Sequence, residues 1–209
     1  CAGGITSRLS LCLGMSDCEG VRMLVSVGNL TGGHSGGEIG TGRPSANVLM
    51  GRLFKNIDEC ADYYIYSIKG GEVDNAICQK CVAEIVTDTE DIPVIKDICK
   101  KLMEELQKEY RGIDDNITIL CEEKEAGCYS VCDDYGREKI LCLLRNLPYG
   151  VMARSAYDVN LVETSLNLGI LTFETGVFKM VYSVRSSIES AKRELADRLE
   201  YLVEFLGGT

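Results

Sequence analysis

The chain has 209 residues, 45% of them hydrophobic, which is enough to bury the core of one large domain or two small ones. Its net charge of -10 gives an acidic surface that repels nucleic acid phosphates and anionic membranes, so neither is an expected partner. No apolar run approaches the roughly 20 residues of a membrane helix. Ile5–Leu13, the first apolar stretch, is broken by Thr6, Ser7, Arg8 and Ser10 and does not read as a signal peptide.

In chain order, Ile5–Leu13 and Val21–Val27 read as strands, the second with Val21, Met23, Val25 and Val27 and an expected cover on both faces. A glycine-rich loop follows, Gly32-Gly33-His34-Ser35-Gly36-Gly37. Pro44 then stands near a helix start, where its missing N–H costs nothing, and Ala46, Leu49, Met50, Leu53 and Phe54 repeat at helical spacing. Tyr63–Ile68 is aromatic and β-branched, hence a strand, ended by Gly70-Gly71, and Cys81–Val86 reads as another. Asp91 and Pro93 open a long helix with the stripe Ile95, Ile98, Cys99, Leu102 and Leu106, stopped at Gly112. Asn116–Cys121 is again a strand, so the order from Val21 to Cys121 is βαββαβ, the ferredoxin-like arrangement.

Further on, a helix over about 137–145 ends before Pro148, and strands Leu161–Phe173 and Val177–Val184 meet across Glu174-Thr175-Gly176 as a hairpin. Ser186-Ser187-Ile188-Glu189 has the capping-box pattern and opens a last helix with the stripe Ile188, Ala191, Leu195, Leu199 and Leu202, ending at Gly207-Gly208. The expected fold class is α+β: a ferredoxin-like βαββαβ core enlarged to a wide, mainly antiparallel sheet with helices packed on one face. No Pro/Gly/Ser linker divides the halves, so residues 1–209 are expected to form a single domain. An opening Cys1 in place of Met suggests a piece excised from a longer chain.

The eleven cysteines are an odd number, and Cys12, Cys99 and Cys142 fall where apolar residues belong. That suits free, buried thiols in a reducing compartment, hence a cytoplasmic protein. Cys78-x-x-Cys81 and Cys128-x-x-x-Cys132 have the makings of a four-thiolate zinc site. The first pair enters a strand, however, where residues three apart point to opposite faces, which favours idle thiols and no metal within the chain. Glu122-Glu123 resembles an acid/base pair, but followed by Lys124 and Glu125 it reads better as a solvated charge run.

His34 is the one histidine, which leaves no multi-histidine metal site, and its neighbour Ser35 is too close in sequence to form a base–nucleophile pair with it. The glycine spacing around it is that of a phosphate loop, yet Glu38-Ile39 stands where a lysine and a hydroxyl residue are required. From the loop alone, His34 is either a residue of a mobile turn or a functional group presented by flexible backbone.

Five segments in register resemble one family: Gly32-Gly33-His34-Ser35-Gly36-Gly37-Glu38-Ile39, Asn75-Ala76-Ile77, Leu147-Pro148-Tyr149-Gly150-Val151, Leu161-Val162-Glu163-Thr164-Ser165-Leu166-Asn167-Leu168-Gly169 and Val184-Arg185-Ser186-Ser187-Ile188-Glu189-Ser190. They resemble the aminoacyl-histidine dipeptidases (Xaa-His dipeptidases, bacterial carnosinases) of the M20 metallopeptidases. Cys1-Ala2-Gly3-Gly4 resembles the point where the catalytic domain of that family gives way to its lid.

The resemblance implies that the whole chain is the lid, or dimerisation, domain of a two-domain enzyme whose dizinc catalytic domain is absent. It implies His34 as the catalytic donor to the oxyanion, Arg185 as the grip on the substrate's terminal carboxylate and Asn75 as a further substrate-binding group. Gly32, Gly33, Ser35, Gly36 and Gly37 would form the loop that presents His34. The implied partners are a dipeptide, the parent catalytic domain and a second lid in a homodimer; the implied cofactors are two zinc ions held elsewhere in the parent. A non-catalytic homodimerisation module is the alternative. The likeness departs from the family's usual Arg-Asn-Ala-Ile-Pro at Asp74 and Cys78.

Overall fold

A computed structural model describes residues 3–209, so the Cys1-Ala2 part of the opening motif lies outside the described residues. In chain order the elements are β1 (Gly3–Cys12), β2 (Met15–Gly28), β3 (Gly33–His34), the short α1 (Ser35–Glu38), α2 (Ala46–Asp58), β4 (Tyr64–Gly70) and β5 (Ala76–Ile77). They continue with β6 (Cys81–Thr87), α3 (Ile92–Glu109), β7 (Thr118–Cys132), α4 (Asp134–Asn146), β8 (Gly150–Arg154), β9 (Val162–Glu174), β10 (Val177–Ser186) and α5 (Glu189–Phe205).

The main sheet runs β1-β10-β9-β4-β6-β2-β7, with β8 as an eighth strand on β9. All its pairings are antiparallel. Within it, β2, α2, β4, β6, α3 and β7 reproduce the βαββαβ unit with spatial order β4-β6-β2-β7, the ferredoxin-like arrangement expected from the sequence. The hairpin β9–β10 and the strand β1 widen that unit on the β4 side.

One face of the sheet is apolar because residues alternate along each strand. Leu9 and Leu11 of β1, Met23, Val25 and Val27 of β2, and Phe178, Met180, Tyr182 and Val184 of β10 all point to it and are buried. Leu53 and Phe54 of α2, Ile95 and Leu102 of α3, Ile140 and Leu143 of α4, and Leu195 and Leu199 of α5 close over that face in one contiguous cluster. A buried side chain of this kind contributes about 1.5–3 kcal/mol by leaving water. The second face of β2 is covered only toward its end: Arg22 and Leu24 stay partly exposed, whereas Ser26 and Gly28 are buried.

Several boundaries depart from expectation. β2 begins six residues earlier than Val21, and β7 runs eleven residues past Cys121, because Met15–Gly20 pairs with Gly127–Cys132 as a ribbon that buries only Val131 and Cys132, at one end, and so leaves little periodic signal. β8 has too few buried residues to be recognised. The capping box at the last helix does not form: β10 continues to Ser186, Ile188 is the cap residue, and Ser186 Oγ accepts from the Ile188 N–H at 3.0 Å. Ile188 is 44% exposed, and its place in the buried stripe is taken by Lys192, whose stem is covered while its ammonium pairs with Glu189 at 2.6 Å. All ten described cysteines are free thiols; Cys99 is buried, Cys142 is half-buried, and Cys12, which follows inward Leu11, is turned out to solvent.

Candidate functional site

The outer face of the sheet carries the polar chemistry. After β4 the chain turns back at Gly71, whose φ of +69° favours glycine, and the segment that follows lies against β9. Gly169 makes the approach feasible: it is the extra residue of a bulge between Leu168 and Ile170, and a Cβ there would sit 2.2 Å from the Asp74 carbonyl oxygen. Asn167, 1% exposed, fixes the segment by donating from Nδ2 to the Asp74 carbonyl at 3.1 Å and to the Ala76 carbonyl at 2.8 Å.

On this anchored segment rests the glycine loop. Gly32 and Gly33, with φ of +63° and +128°, turn the backbone into β3, where Gly33 pairs with Ile77 and His34 with Ala76. The Ser35 N–H donates to the Asn75 carbonyl at 2.8 Å. His34 is the cap residue of α1, and its Nδ1 accepts from the Gly36 N–H at 3.1 Å. In the neutral ring the proton is therefore carried on Nε2, and the exposed imidazole presents that nitrogen as a donor. Ser35 points the other way: it is buried, its hydroxyl unpartnered.

Arg185 stands opposite on β10. A Cβ on Gly36 would lie 3.0 Å from Arg185 Nη1 and 3.0 Å from His34 Cε1, so the guanidinium and the imidazole flank the same glycine. Among the described residues no carboxylate lies within ion-pair distance of Arg185, and its buried Nε lacks a hydrogen-bond partner. Thr6, Asp74, Asn75, Ser183 and Arg185 line one open cavity of about 290 Å³. Asp74 accepts from Thr6 Oγ1 at 3.4 Å. The three residues singled out in the sequence thus converge: Asn75 and Arg185 share a cavity, and His34 reaches it across Gly36. A larger cavity of about 630 Å³ flanks the loop near Lys69, Gln79 and Lys80, and His34, Asn75 and Arg185 do not line it.

The cysteine pairs do not converge. Cys81 pairs with Val27 near one end of β2, whereas Cys128 pairs with Glu19 and Cys132 with Met15 near the other. Eight residues of strand span about 26 Å. Burial pushes the Cys78 thiol up to about 11 and Cys132 up to about 12, and Cys78 donates to Asn47 Oδ1 at 3.2 Å. Among the described residues no group of three or more His, Cys, Asp or Glu side chains could hold a metal ion. Glu122 pairs with Lys124 at 2.9 Å and Glu123 pairs with Lys96, as expected of surface charges.

Asn167 has no role that the sequence pattern alone predicts. Its signal was an amide between apolar Leu166 and Leu168 in a strand, since a buried amide must find partners.

Residues 25–114 match the family profile of the M20 peptidase dimerisation domain. The cytosol non-specific dipeptidase of Escherichia coli (strain K12) is 31% identical over 220 residues, covering 99% of this chain and 43% of that protein. The crystal structure of aminoacylhistidine dipeptidase from Vibrio alginolyticus overlays the whole chain with a TM-score of 0.95 at 27% identity, again over 43% of that chain. The chain therefore spans less than half the length of either relative. Residues 25–114, from β2 to the loop after α3, are thus an M20 peptidase dimerisation domain, and the chain as a whole has the fold of the corresponding part of the Vibrio dipeptidase.

Proposed function

We propose that residues 1–209 are the lid domain of a cytoplasmic, zinc-dependent dipeptidase that hydrolyses Xaa-His or similar dipeptides. The observation that carries this reading is the exposed His34 imidazole, tied back through Nδ1, beside an arginine with no carboxylate partner. The near-complete overlay on an aminoacylhistidine dipeptidase supports it. With one histidine and no cluster of three or more His, Cys, Asp or Glu side chains placed to hold a metal among the described residues, this chain does not fit the two zinc ions, which are assigned to the catalytic domain of the parent.

The contribution of the chain is then to bind and to polarise. His34 Nε2–H donates to the peptide carbonyl oxygen and strengthens as that oxygen gains charge; such a donor contributes about 3 kcal/mol or more to the rate. Arg185 offers a planar pair of N–H groups to the substrate's terminal carboxylate. Asn75, whose side-chain amide has no hydrogen-bond partner among the described residues, supplies donor and acceptor beside it.

The test is His34→Ala in the full-length enzyme. The expected loss in kcat is about 100-fold or more with unchanged metal content; a kcat near that of the wild type sinks the assignment.

A second reading, a homodimerisation module, is favoured by the dimerisation-domain match and by the outer edge of β7, which pairs with no strand among the described residues and exposes Leu120. Sedimentation decides it: a concentration-dependent dimer is expected, and a monomer at micromolar concentration argues against a strong lid–lid contact.

A further inference from the structure

We propose that Cys99 and Cys121 form a dithiol site that accepts a two-electron oxidant of the peroxide class and closes to a disulfide joining α3 to β7. This site is remote from His34 and stands independently of the dipeptidase reading.

Its geometry follows from the register of a helix over a strand. Lys96 and Cys99 are three residues apart in α3 and share one side of it. Cys121 and Glu123 are two apart in β7 and share one face. The Lys96 ammonium pairs with the Glu123 carboxylate, which fixes that side of α3 over that face of β7 and leaves Cys99 above Cys121. Cys121 lies opposite Val25, a fully buried residue, and therefore faces the helix layer. Cys99 belongs to the buried cluster and Cys121 packs against it, partly open to solvent at the sheet edge.

The two sulfurs are unequal in a way that suits sequential chemistry. The neighbouring Cys99 thiol and the Lys96 charge hold Cys121 below the ordinary thiol range. The Cys121 sulfur and burial hold Cys99 above it. Cys121, the sulfur partly open to solvent, is the nucleophile, and the buried Cys99 is the resolving thiol. In the first step the Cys121 thiolate attacks one oxygen of hydrogen peroxide and the O–O bond breaks; that oxygen keeps its hydrogen, giving a sulfenic acid, and the hydroxide that leaves takes up a proton to become water. In the second the Cys99 sulfur attacks the Cys121 sulfur, the S–O bond breaks, and water leaves with the thiol proton. The sum is two thiols and one peroxide to one disulfide and two waters. Cys78, Cys81 and Cys132 lack this arrangement, since burial raises all three.

The full-length protein is treated with one equivalent of hydrogen peroxide, alkylated, digested without reductant and mapped by mass spectrometry. A linked peptide holding Cys99 and Cys121 is expected, lighter by about 2 Da than its two thiol halves. Labelling of Cys121 should drop about tenfold and return on addition of dithiothreitol. In Cys99→Ser the link is lost and Cys121 sulfenic acid becomes trappable by dimedone. Before oxidation, Cys121 should alkylate at a lower pH than free cysteine, and Cys99→Ser should move that profile up. Bridges at other cysteines only, or direct passage of wild-type Cys121 to sulfinic acid, overturn the proposal. If the serine variant fails to fold, the wild-type map alone decides.

Discussion

Arg22 and Arg185 project from the same outer face of one sheet, and their surroundings could hardly differ more. Arg22 is enclosed: it pairs with Glu84 at 3.4 Å and Glu125 at 3.1 Å and lies over the rings of Tyr66 and Tyr129 at 5.6 and 5.3 Å. Arg185 is held beside the glycine loop with no carboxylate in reach among the described residues, although the Nε atoms of both arginines are buried and unpartnered. A guanidinium half out of water without a counter-charge is costly. An incoming carboxylate would repay that cost, whereas at Arg22 the anionic positions are already taken. One arginine binds the sheet together; the other is free to bind something else.

The comparison can be broken by substitution. In the full-length enzyme Arg185→Ala should raise KM about 100-fold, the loss of a bidentate charge-assisted contact worth roughly 3 kcal/mol, with a smaller change in kcat; an unchanged KM would show that the substrate carboxylate binds elsewhere. Asn167→Ala should come next. It leaves two backbone carbonyls without their donor, so it should cost about 1–3 kcal/mol in chemical denaturation and lower kcat, because β5 carries the pairing that sets His34. A variant equally destabilised yet kinetically intact would restrict Asn167 to structure. Arg22→Ala should have the smallest effect, about 1 kcal/mol or less given its partly exposed partners, and KM should stay at its wild-type value. A KM response at Arg22 comparable to that at Arg185 would erase the distinction drawn here.

Much of the fold was legible in the sequence because its helices are amphipathic. Ile95, Cys99, Leu102 and Leu106 announce α3, and all four are buried. The ribbon of Met15–Gly20 and Gly127–Cys132 was not legible, since strands with little burial on either face carry no alternation, and their pairing is read only from coordinates. The site was legible unevenly. Glycines around a single histidine single out His34 but leave it, on local pattern alone, either a turn residue or a functional group. Arg185 and Asn75 stood out only through a family likeness, because the property that distinguishes Arg185 from Arg22 is the absence of tertiary partners, which no local pattern encodes. Asn167 stands within the Leu161–Gly169 segment, but its purpose lies in where its amide reaches.

That reach has a consequence for how the binding surface can change. Asn167 grips the carbonyls of Asp74 and Ala76, and Ser35 donates to the carbonyl of Asn75. Every one of these contacts is made to main chain, so none depends on which side chain residues 74 to 76 carry. Substitutions there can repaint the rim of the cavity, as a carboxylate at Asp74 already does, while the imidazole stays where the backbone puts it. A surface built this way can exchange its side-chain chemistry by single mutations, without first having to rebuild the backbone that holds His34.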